Sequence, residues 1–426
     1  MSAIPQPSTP PGAAPCGLFY GWMLVIVLAI TTIVSYGTTQ YLFGVLVVPL
    51  GKETGWSRAT ISGALSLGLV VSGLLGFPIG RYVDRRGGRL VMTSGSLLGA
   101  LSLMALSQVS AVWQFYLLWS VGIGLSTALT FYSVTFTVIA NWFHRKRGSA
   151  MALLTLIGGL ASPIFVPLAG WLVPQLGWRR TVLMMGLAQL VIGVPLHALL
   201  VRRHPEDLGL VPDGEVTVAL ATAPPRGLLL PEALRTPAFW VLTVAASLSL
   251  LAATAVVAHQ VALMVDRGYD AVLAATVAGA VGFASLPGRY ILNVLSDRVG
   301  PRGLLALCYA MQAVGVVLLV RATSGGWLAV YVVIYGAGFG AVSPLRASVM
   351  ADQFGRRAYG AITAVQGVPA AFCAGLGPFL AGWLRDTLGN YQLAFSAVAG
   401  AFALAALGVA LAPLPEPGSR LPQATT

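Results

Sequence analysis

Apolar residues run along this chain in stretches of roughly 20, parted by short segments where charge, proline and glycine collect. Coiled as a helix, a stretch of that length crosses a hydrocarbon layer of about 30 Å. Twelve such stretches can be marked. Six lie at residues 19–48, 59–79, 90–108, 112–139, 148–173 and 180–201, and six more at 239–265, 271–295, 303–320, 326–350, 358–384 and 392–411. The longest interruption is the segment between the sixth and the seventh, which holds five of the thirteen acidic residues and several prolines.

Composition agrees with the pattern. Of 426 residues 57% are hydrophobic and 9% charged, too few charges to clothe a soluble globule of this size. The predicted class is an all-α integral membrane protein. Its domains would be a tail over 1–18, a six-helix half over 19–201, a linker over 202–237, a second half over 238–411 and a tail over 412–426. Fifty glycines suit it, because small residues let membrane helices approach closely.

The net charge of +12 could suggest a nucleic-acid binder, but that function needs a continuous basic face, and here the basic residues sit in short loops. Their distribution sets topology instead. Seventeen of them, among them Arg81, Arg86, Arg147, Arg202, Arg302, Arg346 and Arg357, fall on one side of the predicted membrane, and seven, including Lys52, Arg179 and Arg321, on the other. The positive-inside rule makes the first side cytoplasmic, with both termini. The first 18 residues carry no basic residue and the apolar run behind them is too long for a signal core, so no cleaved leader is expected. Cys16, Cys308 and Cys373 have neither disulfide nor metal-ligand spacing; no metal and no cofactor are expected.

The chain repeats itself. Gly55-Trp56-Ser57 precedes Asp84-Arg85 by the spacing at which Gly268-Tyr269-Asp270 precedes Asp297-Arg298, and Asp84, Gly87 and Arg89 match Asp297, Gly300 and Arg302. Ala169-Gly170-Trp171-Leu172 with Gly177 recurs as Ala381-Gly382-Trp383-Leu384 with Gly389. The offset stays at 212 or 213 residues. Six helices later the orientation is preserved, so the halves are parallel repeats about an axis along the membrane normal.

The segment Gly80-Arg81-Tyr82-Val83-Asp84-Arg85-Arg86-Gly87-Gly88-Arg89 resembles the signature between helices two and three of major facilitator transporters, with Asn293 standing in its second copy where the first has Gly80. Phe43-Gly44-Val45, Gly55-Trp56-Ser57-Arg58, Asn141-Trp142-Phe143, the run from Arg203 to Leu210 and Gly288-Arg289 resemble the bacterial monocarboxylate and oxalate:formate transporters of that superfamily. The resemblance implies the major facilitator fold and alternating access. It further implies that Asp84 and Asp297 pair with arginines across the halves when the cytoplasmic side closes, with Gly80, Arg85, Gly87, Arg89 and Arg298 in the same gating loops. The plainer reading of these charges is topological, and the two are compatible.

An ionisable side chain inside a bilayer costs roughly 2.5–3.5 kcal/mol on insertion scales, so each one retained is a functional candidate. Arg289 lies two turns before Asp297, about 12 Å deep at 1.5 Å per residue, too deep for snorkelling alone to free it. The repeat sets Gly76 opposite it, so the guanidinium is no part of the common scaffold. Its planar fork matches a carboxylate, and the resemblance points to the same helix-eight arginine. Pro287-Gly288 before it could open the helix or merely kink it. Gln366 stands where oxalate:formate exchangers carry a lysine, which leaves one fixed charge and favours a monoanion. Ser285 stands where mammalian-type relatives carry an aspartate. Tyr36, Gln40, Tyr41, Phe131, Tyr132 and Tyr335 could complete the pocket, with Tyr132 and Tyr335 preferred, although packing would explain each one singly.

For a coupling proton the candidates are Asp266, which matches an acidic position in the bacterial relatives, and His259 further inward. Glu53 is the repeat mate of Asp266, which also allows a shared loop role. The expected function is secondary transport of a small organic anion, a monocarboxylate by preference, coupled to protons, by a monomer spanning the inner membrane. Efflux of drug-like or siderophore-like solutes is the alternative. A receptor or enzyme lacks support, since no metal-ligand cluster or nucleophile elbow is legible.

Overall fold

The computed structural model describes residues 19–143, 146–211, 227–355 and 357–413; the side chains of Phe77, Asp84, Ser133 and Asp297 are outside the description. Among the described residues eleven helical runs are long and apolar enough to cross a membrane, and one of them, Arg147–Leu200, has 54 residues. Straight, it would measure about 80 Å, far more than a bilayer. Gly177 divides it, with φ 79° and ψ 159°, a conformation open to glycine and strained for other residues. Twelve crossings result.

They are α1 (Tyr20–Thr54), α2 (Arg58–Arg86), α3 (Arg89–Leu106), α4 (Val112–Trp142), α5 (147–176), α6 (178–200), α7 (Pro237–Asp266), α8 (Ala271–Val299), α9 (Pro301–Arg321), α10 (Gly325–Phe354), α11 (Tyr359–Leu388) and α12 (Gln392–Leu411). Several outrun their apolar cores: α1 continues six residues past Val48 and α2 seven past Ile79, carrying charged ends beyond the hydrocarbon.

The repeat has a physical basis at several matched positions. Gly55 and Gly268 end α1 and α7 at positive φ, 73° and 89°. Two residues on, Ser57 and Asp270 cap α2 and α8: the Ser57 hydroxyl accepts from the Thr60 amide, and the Asp270 carboxylate from Val272 and Leu273. Arg89 donates to the Ala198 carbonyl at the end of α6, 2.6 Å away, and its mate Arg302 to the Val409 carbonyl at the end of α12, 2.8 Å away. Each closes its own six-helix half in the same place. These matched residues build scaffold.

The halves meet along α2 against α11 and α5 against α8, with α7 also against the second part of α1. Glycines set the closeness of α5 and α8: a Cβ at Gly282 would stand 2.7 Å from Ser162, and one at Gly279 2.7 Å from Pro167.

At the end away from the termini the halves are sealed. The Asp386 carboxylate on α11 accepts from the Arg58 and Ala59 amides of α2 at 3.2 and 2.7 Å. Asp266 on α7 pairs with Arg58 at 3.4 Å and with Arg385 at 3.0 Å. Deeper, the Phe379 amide donates to the Ser66 hydroxyl at 3.1 Å. Toward the termini the same helices part: a Cβ at Gly73 on α2 would stand 3.1 Å from Ala371, whereas one at Gly76 or Gly80 would meet nothing within 4 Å.

Candidate functional site

Below the seal lies a cavity of about 260 Å³ between the halves, lined from one half by Tyr36, Tyr41, Tyr132, Gly158, Gly159 and Ser162, and from the other chiefly by Ser249, Gln260, Ser285, Arg289, Gln312, Tyr335 and Arg346. Of the binding candidates expected from sequence, Arg289, Tyr132, Tyr335, Tyr41 and Ser285 therefore come together, and Tyr36 joins them. Gln40 is not among the lining residues. Gln366 lines an adjoining pocket that shares Leu250, Ser343 and Arg346 with the cavity and runs to Tyr359, the first residue of α11 at the termini end. Its amide donates to the Met350 sulfur at 3.2 Å.

Among the described residues Arg289 is held by backbone alone. Its Nε donates to the Gly340 carbonyl of α10 at 3.1 Å, and its Nη1 to the Thr155 carbonyl of α5, in the other half, at 2.7 Å. The guanidinium reaches Gly340 because α8 and α10 are pressed together: a Cβ at Gly340 would collide with the Ser285 carbonyl, and one at Gly288 would lie 2.5 Å from the Ala337 Cα. Gly288 thus serves packing, and α8 stays helical through Pro287. Among the described residues no carboxylate pairs with Arg289. Tyr41 and Tyr132 lie within its electrostatic reach.

The opposite wall is aromatic because the backbone breaks there. In a regular α-helix Tyr36 and Tyr41, five residues apart, would point roughly 140° away from each other. A π-helical turn over Gly37–Tyr41 widens α1 and brings both to the cavity. In α4 the chain is extended at Phe131, with ψ −172°, which restarts the helix at Tyr132. Phe131 stacks on Tyr36 with ring centroids 3.7 Å apart, and Tyr132 lies 5.1 Å from the same ring. Irregular backbone at membrane depth is tolerated where it lines a cavity. Across from these rings Tyr335 is 1% exposed and its hydroxyl has no hydrogen-bond partner among the described residues. A buried hydroxyl left unmatched beside a cavity is poised to donate to what enters.

Arg346, which loop-counting assigns to the cytoplasmic surface, is a cavity residue. It sits eight residues inside the end of α10, about 12 Å, and the repeat sets Ser133 or Val134 opposite it. The two criteria that single out Arg289, depth and asymmetry between the halves, single out Arg346 as well. The expectation of one fixed charge is corrected to two.

Asp266 and His259 are placed in the seal, away from the cavity. Glu53, the repeat mate of Asp266, binds Arg179 at 2.8 Å and the Trp178 indole at 2.6 Å within its own half, while Asp266 ties across halves; the mates differ in partner. His259 is fully buried. Its Nε2 faces the Pro378 carbonyl at 2.9 Å and the Ser62 hydroxyl of the other half at 2.9 Å, and Nδ1 faces the Tyr391 hydroxyl at 2.9 Å. A carbonyl can only accept, so the neutral ring carries its proton on Nε2 and accepts from Tyr391 at Nδ1.

In the loops expected to gate, the Asp84 and Asp297 side chains fall outside the described residues. Arg85 and Arg298 are exposed. Gly87, at φ 83°, leaves room for the Arg203 side chain, and Arg203 donates to the Arg85 carbonyl.

Twelve membrane helices in two parallel halves, closed at one end around a polar, cationic cavity, define a solute carrier. A profile described as Major Facilitator Superfamily matches residues 28–373 and 293–426. Monocarboxylate transporter 13 of Rattus norvegicus is 31% identical over 92% of this chain and 88% of its own length, and that of Bos taurus is 31% identical with the same coverage. Among solved structures, a bacterial homologue of the human lysosomal transporter Spinster, in an inward-facing and unoccupied conformation, superposes with a TM-score of 0.67 at 14% identity, covering 94% of this chain and 96% of that one. The chain belongs to the major facilitator superfamily, as a multi-pass transporter of the monocarboxylate-transporter type rather than an enzyme.

Proposed function

We propose that this transporter moves a small organic carboxylate by alternating access, with the carboxylate held on Arg289 and oriented by the hydroxyls of Tyr335, Tyr41 and Tyr132. One observation carries the reading: a guanidinium deep between the halves that, among the described residues, bonds to backbone carbonyls only and faces an open cavity with no carboxylate in its described lining. Such a charge is costly in a membrane unless an anion answers it. The printed name of the rat and bovine relatives points the same way. By the arginine bias the termini are cytoplasmic, so the sealed end faces outward and the cavity opens inward. The protein would act as a monomer in the inner membrane, with Gly80, Asp84, Arg85, Gly87, Asp297 and Arg298 forming the opposing closure.

For the coupling proton we assign Asp266, with His259 two turns inward on α7. Protonation of Asp266 would remove the charge that joins Arg58 to Arg385 and loosen the seal between the halves.

The test is uptake of a labelled carboxylate by proteoliposomes, with ligand-dependent thermal stabilisation of purified protein alongside. Arg289→Lys keeps the charge but loses the fork, and Arg289→Gln loses both, so affinity should fall in that order. Breaking a buried charge pair from one side costs about 3–5 kcal/mol, or roughly two to three orders of magnitude in affinity. Parental carboxylate affinity in a folded Arg289→Gln protein would place the anion elsewhere.

A further inference from the structure

We infer that the substrate carries two anionic groups, a small dicarboxylate with one carboxylate on Arg289 and the second on Arg346. The inference rests on the proposed anion site and deepens it. Six residues of α10 separate Gly340, whose carbonyl holds Arg289, from Arg346, about 9 Å along the helix axis toward the termini. Both side chains line the same cavity.

The charge balance decides the class. Two guanidinium groups line the cavity, and no aspartate or glutamate is among the described residues lining it or the adjoining pocket. The next carboxylates along the two helices are Asp297, eight residues beyond Arg289, and Asp352, six beyond Arg346, both toward the helix ends. Asp352 has a partner of its own. Arg346 makes no hydrogen bond or ion pair with any described residue, whereas Arg289 spends Nε and Nη1 on carbonyls and keeps its remaining edge free. A monoanion seated here would leave one positive charge uncompensated in a half-buried, low-dielectric space; a dianion closes the account.

Geometry supplies a route as well as a site. Arg346 also lines the pocket that runs past Gln366 to Tyr359 at the open end, so an entering acid meets Arg346 before Arg289. Leading with one carboxylate, it can engage the first guanidinium, slide that group to the second and leave its trailing carboxylate on Arg346. Gln366 is neutral and tied to Met350, so the pair of arginines supplies all the fixed positive charge of the described lining.

The probes are butanedioate and butanoate, matched in chain length and differing by one carboxylate, both ionised at about pH 7.5. Binding is measured on purified full-length protein by calorimetry and thermal stabilisation at fixed ionic strength. The parent should bind butanedioate more tightly on the order of tenfold or better, as a charge-assisted bidentate contact provides. Arg346→Gln should bring the ratio of the two affinities to within about threefold of unity, and Arg346→Lys should retain a preference because the charge remains. A parent that binds both acids equally, or an Arg346→Gln protein that keeps the full preference, overturns the inference while leaving the carboxylate site intact. If the parent binds neither acid, both readings fall.

Discussion

The Asp386 carboxylate of α11 lies 2.7 Å from the amide of Ala59, in the first turn of α2 and in the opposite half of the molecule. A second oxygen takes the Arg58 amide at 3.2 Å. One side chain therefore caps a helix that belongs to the other repeat, and the cap exists only while this end is closed. Anions at helix N-termini contribute about 0.3–1 kcal/mol, more when partly buried. Asp386→Ala should shift the protein toward the state open at this end. Ser62→Cys, buried in the seal, should then react with an impermeant thiol reagent several-fold faster in the Asp386→Ala background than alone. Equal rates would mean the cap contributes nothing to closure.

Beside that cap, Asp266 holds Arg58 from the other half and Arg385 from its own. The pairs are partly exposed, with side-chain accessibilities of 11% and 22% for Arg58 and Asp266, so each is worth no more than a modest surface pair. A double-mutant cycle of Arg58→Ala and Asp266→Ala, read by thermal unfolding in detergent, should give a coupling of about 0.5–1 kcal/mol. Additive effects would remove this pair from the seal.

Gly340 is where helix packing and the anion site share one atom's worth of space. Gly340→Ala forces its Cβ against the Ser285 carbonyl, so α10 must move away from α8 and the Gly340 carbonyl from Arg289. Overpacking of this kind costs about 1–3 kcal/mol. The variant should unfold at lower temperature and bind carboxylate more weakly than the loss of stability alone explains. Full affinity with reduced stability would separate packing from positioning.

Orientation is open to a direct chemical test. Cysteines placed at Lys52 and Arg321, both exposed at the sealed end, should react with impermeant reagents added outside intact cells, and one at Arg298 should not. The arginine bias predicts this outcome. Labelling of Arg298→Cys from outside would invert the topology and turn the cavity outward.

Hydropathy alone determined the class, the twelve crossings and, through the repeat, the two halves, because a bilayer demands long apolar helices wherever the chain crosses and duplication leaves matched caps such as Ser57 and Asp270. Arg289 was legible for a related reason: a charge at depth, unmatched in the other half, stands out in one dimension. Arg346 met the same criteria, yet a count of basic residues by side assigned it to the surface. What only the tertiary structure decided depends on contacts between distant segments or on a local change of helix type. Composition does not say that α1 widens into a π turn that swings Tyr36 and Tyr41 to one face. The repeat set Asp266 beside Glu53 as equals, and only folding gave one a partner in the opposite half and the other a partner in its own. Two arginines 57 residues apart share one cavity because glycines let α8 and α10 touch, and that closeness is a property of packed backbones that no single segment encodes.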